Sequence, residues 1–218
     1  MSHIEIRIAL VLGLLLAGIA PVQAESVASG LSVIEVQPTK GRAAKTGYTR
    51  AQFGPTWADV DRNGCDTRND ILKRDLTEET FKEKTRDCIV LSGTLIDPFS
   101  GETINFVRGN VSSMEVQIDH VVALSNAWQT GAFKLGIKER TAFANDPLNL
   151  LAVKGRLNSQ KGDGDAATWL PPLKSFRCDY VSRQIAVKLK YKLWFTAPEK
   201  EGMVRILKSC PEKALPKG

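Results

Sequence analysis

The apolar run IALVLGLLLAGI at residues 8–19 constrains this chain more than any other stretch, because it decides the compartment in which everything downstream folds. It follows a short start, MSHIEIR, in which Glu5 offsets Arg7, and leads into Pro21-Val22-Gln23-Ala24. Such a run is too short to span a bilayer as a helix, and Val22-Gln23-Ala24 fits the small-residue rule for leader cleavage. Residues 1–24 are therefore expected to be a signal peptide, the alternative being a retained N-terminal anchor. No cysteine lies near the cleavage point to carry a lipid, and no later segment is apolar and long enough to cross a membrane. The mature chain is expected to be secreted or periplasmic.

Export gives the cysteines their meaning. Cys65, Cys88, Cys178 and Cys210 contain no CxxC spacing, and His120 is the only histidine after the leader, so a structural zinc site is disfavoured. In an oxidising compartment four cysteines read as two disulfides. Three pairings exist, and proximity in sequence alone favours Cys65 with Cys88 and Cys178 with Cys210. The residues after Ala24 suffice for one domain with a real core. Residues 25–47, short of aromatics, read as a flexible lead-in or loosely packed arm, and 48–218 as a single domain.

The formal net charge is +6 and it is unevenly placed. Residues 174–218 hold eleven Lys/Arg against four acids, so the excess belongs to the C-terminal helices. A basic patch suits a polyanion, whose counterions are released when Lys and Arg replace them; a solvated helical face accounts for the same charge equally well.

Along the chain, Thr77–Asp87 reads as a helix capped by Thr77 with glutamates in its first turn. A β-rich run, IVLSGTL, follows, then turn material at Asp97-Pro98 and Ser100-Gly101 and a second strand. A strand over 114–118 delivers Asp119 and His120 at its end. Helical stretches SNAWQTGAF and GIKERTAFA stop at Asp146-Pro147, LNLLAV is a short strand, and GRLNSQKG a brief helix ended by Gly162. Two longer helices close the chain, the last opening with a capping box of Thr196 and Glu199. The fold class is α+β.

Asp-His at a strand end, Asn149 in DPLNLL, Asn158 nine residues later in LNSQK, and Lys161 three beyond that form one ordered set. This DH…N…NxxK order resembles the HNH, or ββα-metal, nucleases. The stretches WADVDRNGCDTRNDIL, LSGTLIDPFSG, IDHVVALSNAWQTGA, FANDPLNLLAV and NSQKGDGDAATWLPP are similar to the secreted bacterial HNH branch related to the C-terminal nuclease domain of GmrSD restriction enzymes. The resemblance covers roughly residues 48–210. It departs from the commonest pattern at one point, with Asn158 where a histidine is usual.

The resemblance implies a ββα-metal finger elaborated by extra helices and a hairpin, and a metal-dependent endonuclease. His120 would be the general base, since imidazole titrates near neutral pH, and Asn149 would belong with it, its amide bonding backbone and fixing the loop that holds His120. Asp119 and Asn158 would hold one divalent metal, their hard oxygens favouring Mg²⁺, with Mn²⁺ as the alternative, over zinc. Lys161, Arg156 and Arg68 would contact phosphates. The partner would be nucleic acid, DNA with RNA also admitted, cut without base reading by a monomer; an inhibitor protein that protects the producer is left open. The implied products carry a 5′-phosphate and a 3′-hydroxyl.

Each residue also has a plain structural reading: a lone His after a strand is more often a satisfied polar residue, and Asn in DPLN more often a turn former. DVDRNGCDTRND, from Asp59 to Asp70, meets the Ca²⁺-loop template at Asp59, Asp61, Asn63 and Gly64, but Asp70 replaces the bidentate Glu and Cys65 suggests a disulfide-pinned turn instead. Asp163 and Asp165 read as a glycine-rich turn, and Trp128 and Trp169 as core. Two rival functions remain: a non-catalytic DNA-binding or uptake protein keeping the fold, and a calcium-stabilised envelope protein built on the Asp59 loop.

Overall fold

Residues 28–217 are described by the computed structural model, and the expected signal peptide lies outside them. The chain enters through helix α1 (Gly30–Glu35), capped by Ser29, whose hydroxyl accepts from Ser32 N. The expected flexible lead-in is instead a docked strap. Ile34 is fully buried, Gly30 N donates to Lys213 O at 2.7 Å, and Lys40 N to Phe195 O at 2.9 Å. A 3-10 turn, Arg50–Phe53, buries Phe53 against Trp128 and Phe143.

Helix α2 (Thr67–Asp75) starts where Asp66 accepts from Asn69 N at 2.9 Å, and its last turn carries Lys73 and Arg74, both placed to suit the helix dipole. The helix expected over Thr77–Asp87 is not formed. Its place is taken by strand β1 (Thr77–Phe81) and a turn in which Lys84, Arg86 and Asp87 adopt positive φ. Glutamates after a threonine imitate an N-terminal signal, but α2 has just ended at extended Leu76, and β2 (Val90–Ile96) offers a whole ladder to pair with. Strand β3 (Thr103–Val107) completes a three-stranded antiparallel sheet ordered β1-β2-β3.

A separate two-stranded ribbon carries the residues of interest. Strand β4 (Val116–His120) begins two residues later than expected and includes Asp119 and His120. It is followed by α3 (Leu124–Gln129) and α4 (Ile137–Ala144), then by a turn at Pro147–Asn149 and strand β5 (Leu150–Lys154). The two strands pair antiparallel with His120 opposite Leu150 and Asp119 opposite Leu151. Helix α5 (Gly155–Lys161) follows at once and packs on both strands, giving the ββα order.

The ribbon is sandwiched because its pleat puts alternate residues on opposite faces. Val116, Ile118, Leu150 and Ala152 pack with Ile71 and Leu72 of α2 and with Val90, Leu95 and Phe106 of the sheet. Leu151 and Val153 face Tyr180, Val181 and Ile185 of α6 (Arg177–Lys190) and Met203 of α7 (Ala197–Leu207). Trp128 lies in a third cluster with Phe53 and Phe143, and Trp169 meets Phe99 and Tyr180, so both tryptophans pack as expected.

The capping box of α7 is present: Thr196 Oγ1 accepts from Glu199 N, and Glu199 Oε2 from Thr196 N. Glu199 also meets Lys188 of α6 at 2.6 Å in a fully buried pair, and Lys190 pairs with Asp146 outside the tail, so part of the basic excess is answered within the protein. Disulfides Cys65–Cys88 and Cys178–Cys210 are those that proximity favoured. Closing loops of 23 and 32 residues, each stabilises by about 3 kcal/mol if the chain-entropy account holds.

The junction of ribbon and helix admits no side chain. A Cβ on Gly155 would lie 1.9 Å from Met114 O, a backbone atom unable to yield without moving the ribbon. Gly155→Ala is expected to lower stability by about 1–3 kcal/mol, read as a reduced urea midpoint, because overpacking there displaces backbone and not a flexible side chain.

Candidate active site

The pleat separates neighbours in sequence. Gln117 and Asp119 point toward α5, whereas Ile118 and His120 point toward α2 and the loop at Trp57. Among the described residues β4 pairs only with β5, so its other edge is open. Along that edge runs a groove of about 510 Å³ that includes Gln117, Asp119, His120, Asn158, Trp57 and Arg68. A second cleft of about 590 Å³ lies between Arg74, Arg183 and Leu215 and holds none of the predicted site residues.

His120 is buried at the strand end, and its surroundings fix its tautomer. Nε2 lies 2.9 Å from Ala144 O, and because a carbonyl only accepts, Nε2 carries the proton and Nδ1 keeps a lone pair. The ring stacks on Trp57 with centroids 5.9 Å apart and planes 13° apart. Trp57 adopts φ 57°, a left-handed conformation costing a non-glycine residue roughly 1–3 kcal/mol, which the stack and the packing around it must offset. Burial, only partly opposed by the hydrogen bond to Ala144 O and reinforced by the Arg50 and Lys161 charges, pushes the imidazole pKa down to about 3, well below the near-neutral titration expected from the sequence, so His120 is neutral across the physiological range.

Asn149 is fully buried and clamps the strand exit. Its Oδ1 accepts from Val122 N at 2.8 Å, while Nδ2 donates to Val122 O and to Phe143 O. One amide thus ties Val122, two residues after His120, to the end of α4, where Ala144 holds the imidazole.

Asp119 is buried on the other face. Its Oδ1 accepts from Lys161 Nζ at 2.7 Å, and Lys161 also donates to His120 O at 2.7 Å. Burial raises the Asp119 pKa, and the Lys161 ammonium opposes this. The remaining oxygen, Oδ2, is buried with no hydrogen-bond partner. One turn before Lys161, Asn158 donates from Nδ2 to Gln117 Oε1 at 2.9 Å, which leaves its Oδ1 unused. These two free oxygens fit a hard divalent cation. Among the described residues no group of three or more His, Cys, Asp or Glu side chains is placed to hold a metal ion, so the protein would supply only these two oxygens.

The expected phosphate contacts divide. Arg68, half-buried, lines the groove and donates to Val116 O at 3.2 Å. Lys161 is turned inward and serves as the counter-ion of Asp119, correcting its expected role. Arg156 is exposed and does not line the groove. On a helix it stands about 200° around from Asn158, which is the physical reason it cannot share that residue's face. Sequence reasoning missed Lys45, Tyr48, Arg50 and Trp57, which wall the groove from the N-terminal side, and Gln117, which orients Asn158. The period-2 pattern could have found Gln117, two residues from Asp119; nothing local marks the others.

Asp163 does more than form a turn, accepting from Ser125 Oγ at 3.0 Å and pairing with Lys45, and Asp165 pairs with Arg42. The Asp59 loop is tied to itself. Asp59 accepts from Asn63 N and Gly64 N, Asp61 also accepts from Asn63 N, and Asn63 Oδ1 accepts from Cys65 N.

Residues 66–206 match the family described as GmrSD restriction endonucleases, C-terminal domain, and the chain belongs to that family of nuclease domains. An "Uncharacterized secreted protein" of Arthroderma benhamiae (strain ATCC MYA-4681 / CBS 112371) is 36% identical over 189 residues, 86% of this chain and 84% of that protein. No solved structure matches.

Two outcomes test the site. Lys161→Met leaves the buried Asp119 carboxylate unpaired and should cost about 3–5 kcal/mol in denaturant unfolding. The second concerns pH. Unfolded His120 takes up a proton near 6.5 and folded His120 only near 3, so protonation below 6.5 favours unfolding. In EDTA, wild-type stability should fall relative to His120→Gln as pH drops from 6.5 to 5, approaching about 1.4 kcal/mol per unit; parallel curves would contradict the assignment.

Proposed function

We propose that the protein is an exported, metal-dependent endonuclease of the HNH type that hydrolyses phosphodiester bonds with little sequence preference, in DNA, with RNA as the alternative substrate. The observation that carries this reading is the tautomer of His120: Nε2 is held by Ala144 O, Nδ1 has no hydrogen bond among the described residues, and the residue lines one groove with Asp119 and Asn158. A neutral imidazole with its donor nitrogen held by Ala144 can accept a proton only at Nδ1. It takes that proton from a water attacking phosphorus, and the stack on Trp57 keeps the ring from swinging away.

Asp119 and Asn158 would hold a divalent cation, Mg²⁺ or Mn²⁺, which supplies Lewis-acid stabilisation of the charge building on the phosphate and leaving oxygen. Lys161 keeps Asp119 oriented and Gln117 keeps the carbonyl of Asn158 turned outward. Arg68 meets the phosphate backbone. Support for low specificity is that the groove is walled by charged and aromatic side chains around a strand edge, with no added helix for reading a base edge. Hydrolysis with departure of the 3′ oxygen leaves 5′-phosphate and 3′-hydroxyl ends.

Oxidised protein beginning at Glu25 should nick supercoiled plasmid with Mg²⁺ or Mn²⁺ and not with EDTA. His120→Ala should slow nicking by roughly 10²- to 10⁴-fold, the usual contribution of a general base. DNA binding without cleavage under every metal would favour the uptake-protein reading instead.

A further inference from the structure

The groove has two walls of different origin. The ribbon and α5 supply Asp119, His120 and Asn158, but no cation faces the groove from that side, since Lys161 is locked on Asp119 and Arg156 lies outside it. The cations that do line it, Lys45, Arg50 and Arg68, all come from the segment preceding the sheet. Lys45 pairs with Asp163, and Arg68 is half-buried with one guanidinium nitrogen given to Val116 O. Arg50 is exposed and, among the described residues, has no ion pair and no side-chain hydrogen bond.

The backbone beneath Arg50 is nevertheless fixed. Phe53 is buried, Tyr48 meets both Phe53 and Trp128 edge-on, and Arg140 Nε donates to Gln52 O at 2.6 Å. Both carboxylates of the groove, Asp119 and Asp163, are already engaged by lysines, so nothing within the protein answers the Arg50 charge. A free guanidinium on a rigid turn beside an imidazole base presents a planar fork of donors suited to an oxyanion.

We propose that Arg50 is a substrate-contact residue, gripping a backbone phosphate of the nucleic acid in the groove beside His120. The inference rests on the nuclease reading for the identity of the occupant. Its test separates the two. Binding of a short fluorescein-labelled DNA duplex is followed against salt in EDTA, to prevent cleavage, in the His120→Ala protein with and without Arg50→Ala. Removing one phosphate contact should lower the slope of log K against log salt by about one, and Arg50→Lys, which keeps the charge, should restore it. In the wild-type background Arg50→Ala should slow plasmid nicking roughly ten- to a hundredfold, with Lys recovering only part because the fork is lost. Lys138→Ala, exposed on α4 away from the groove, should alter neither. An unchanged salt slope on removing Arg50 would overturn the proposal. Failure of the wild-type protein to nick under any metal would overturn the nuclease reading instead, and leaves the slope measurement intact.

Discussion

The buried ion pair between Asp119 and Lys161 is the interaction on which the site depends. A carboxylate withdrawn from water is costly unless a cation and hydrogen bonds answer it, and Lys161 answers it from a helix that begins immediately after β5. The same ammonium reaches the carbonyl of His120, so one side chain binds α5 to β4 at the two residues that matter. Docking α5 in this way also sets the rotation of Asn158, three residues earlier and on the same face, against Gln117. Helix placement and the aim of both free oxygens are therefore one event.

The strand pleat solves a second problem. If His120 and Asp119 pointed the same way they would bond to one another, and the ring N–H and carboxylate oxygen now held by Ala144 and Lys161 would be taken up. Alternation sends Asp119 to α5 and His120 to Trp57, and each finds its partner on its own face. They share a groove only because the edge of β4 is open. Asn149 then holds the exit of that strand, spanning from Val122 to Phe143, so the carbonyl that fixes the imidazole and the strand that carries it move as one body.

What could be read from the sequence was whatever obeys local periodicity or a fixed spacing. The capping box at Thr196 and Glu199, the short helix ended by Gly162, and the order of Asp119, His120, Asn149 and Asn158 are of this kind. The helix expected after Thr77 failed because a local glutamate signal competed with a strand partner further along the chain, Val90 to Thr94, and pairing prevailed. The roles given to Lys161 and Arg156 failed differently. The motif names a residue but not its direction, and helical geometry turns Lys161 inward and Arg156 out of the groove. The wall built from Lys45, Tyr48, Arg50 and Trp57 was invisible because it meets β4 across some sixty residues or more of intervening chain, a separation over which no periodic pattern carries information.

The strap that forms this wall has its own anchorage at the far end of the chain. Ser29 bridges to Ala214, Gly30 donates to Lys213 O, Thr39 lies beside Phe195, and Lys200 holds the carbonyls of Glu35 and Gln37. Segments far apart in sequence, 29–40 and 195–214, are thus stitched together. The N-terminal side of the groove is therefore held in place through residues 195–214, so loosening the last helix would slacken that wall without touching the ribbon that carries Asp119 and His120.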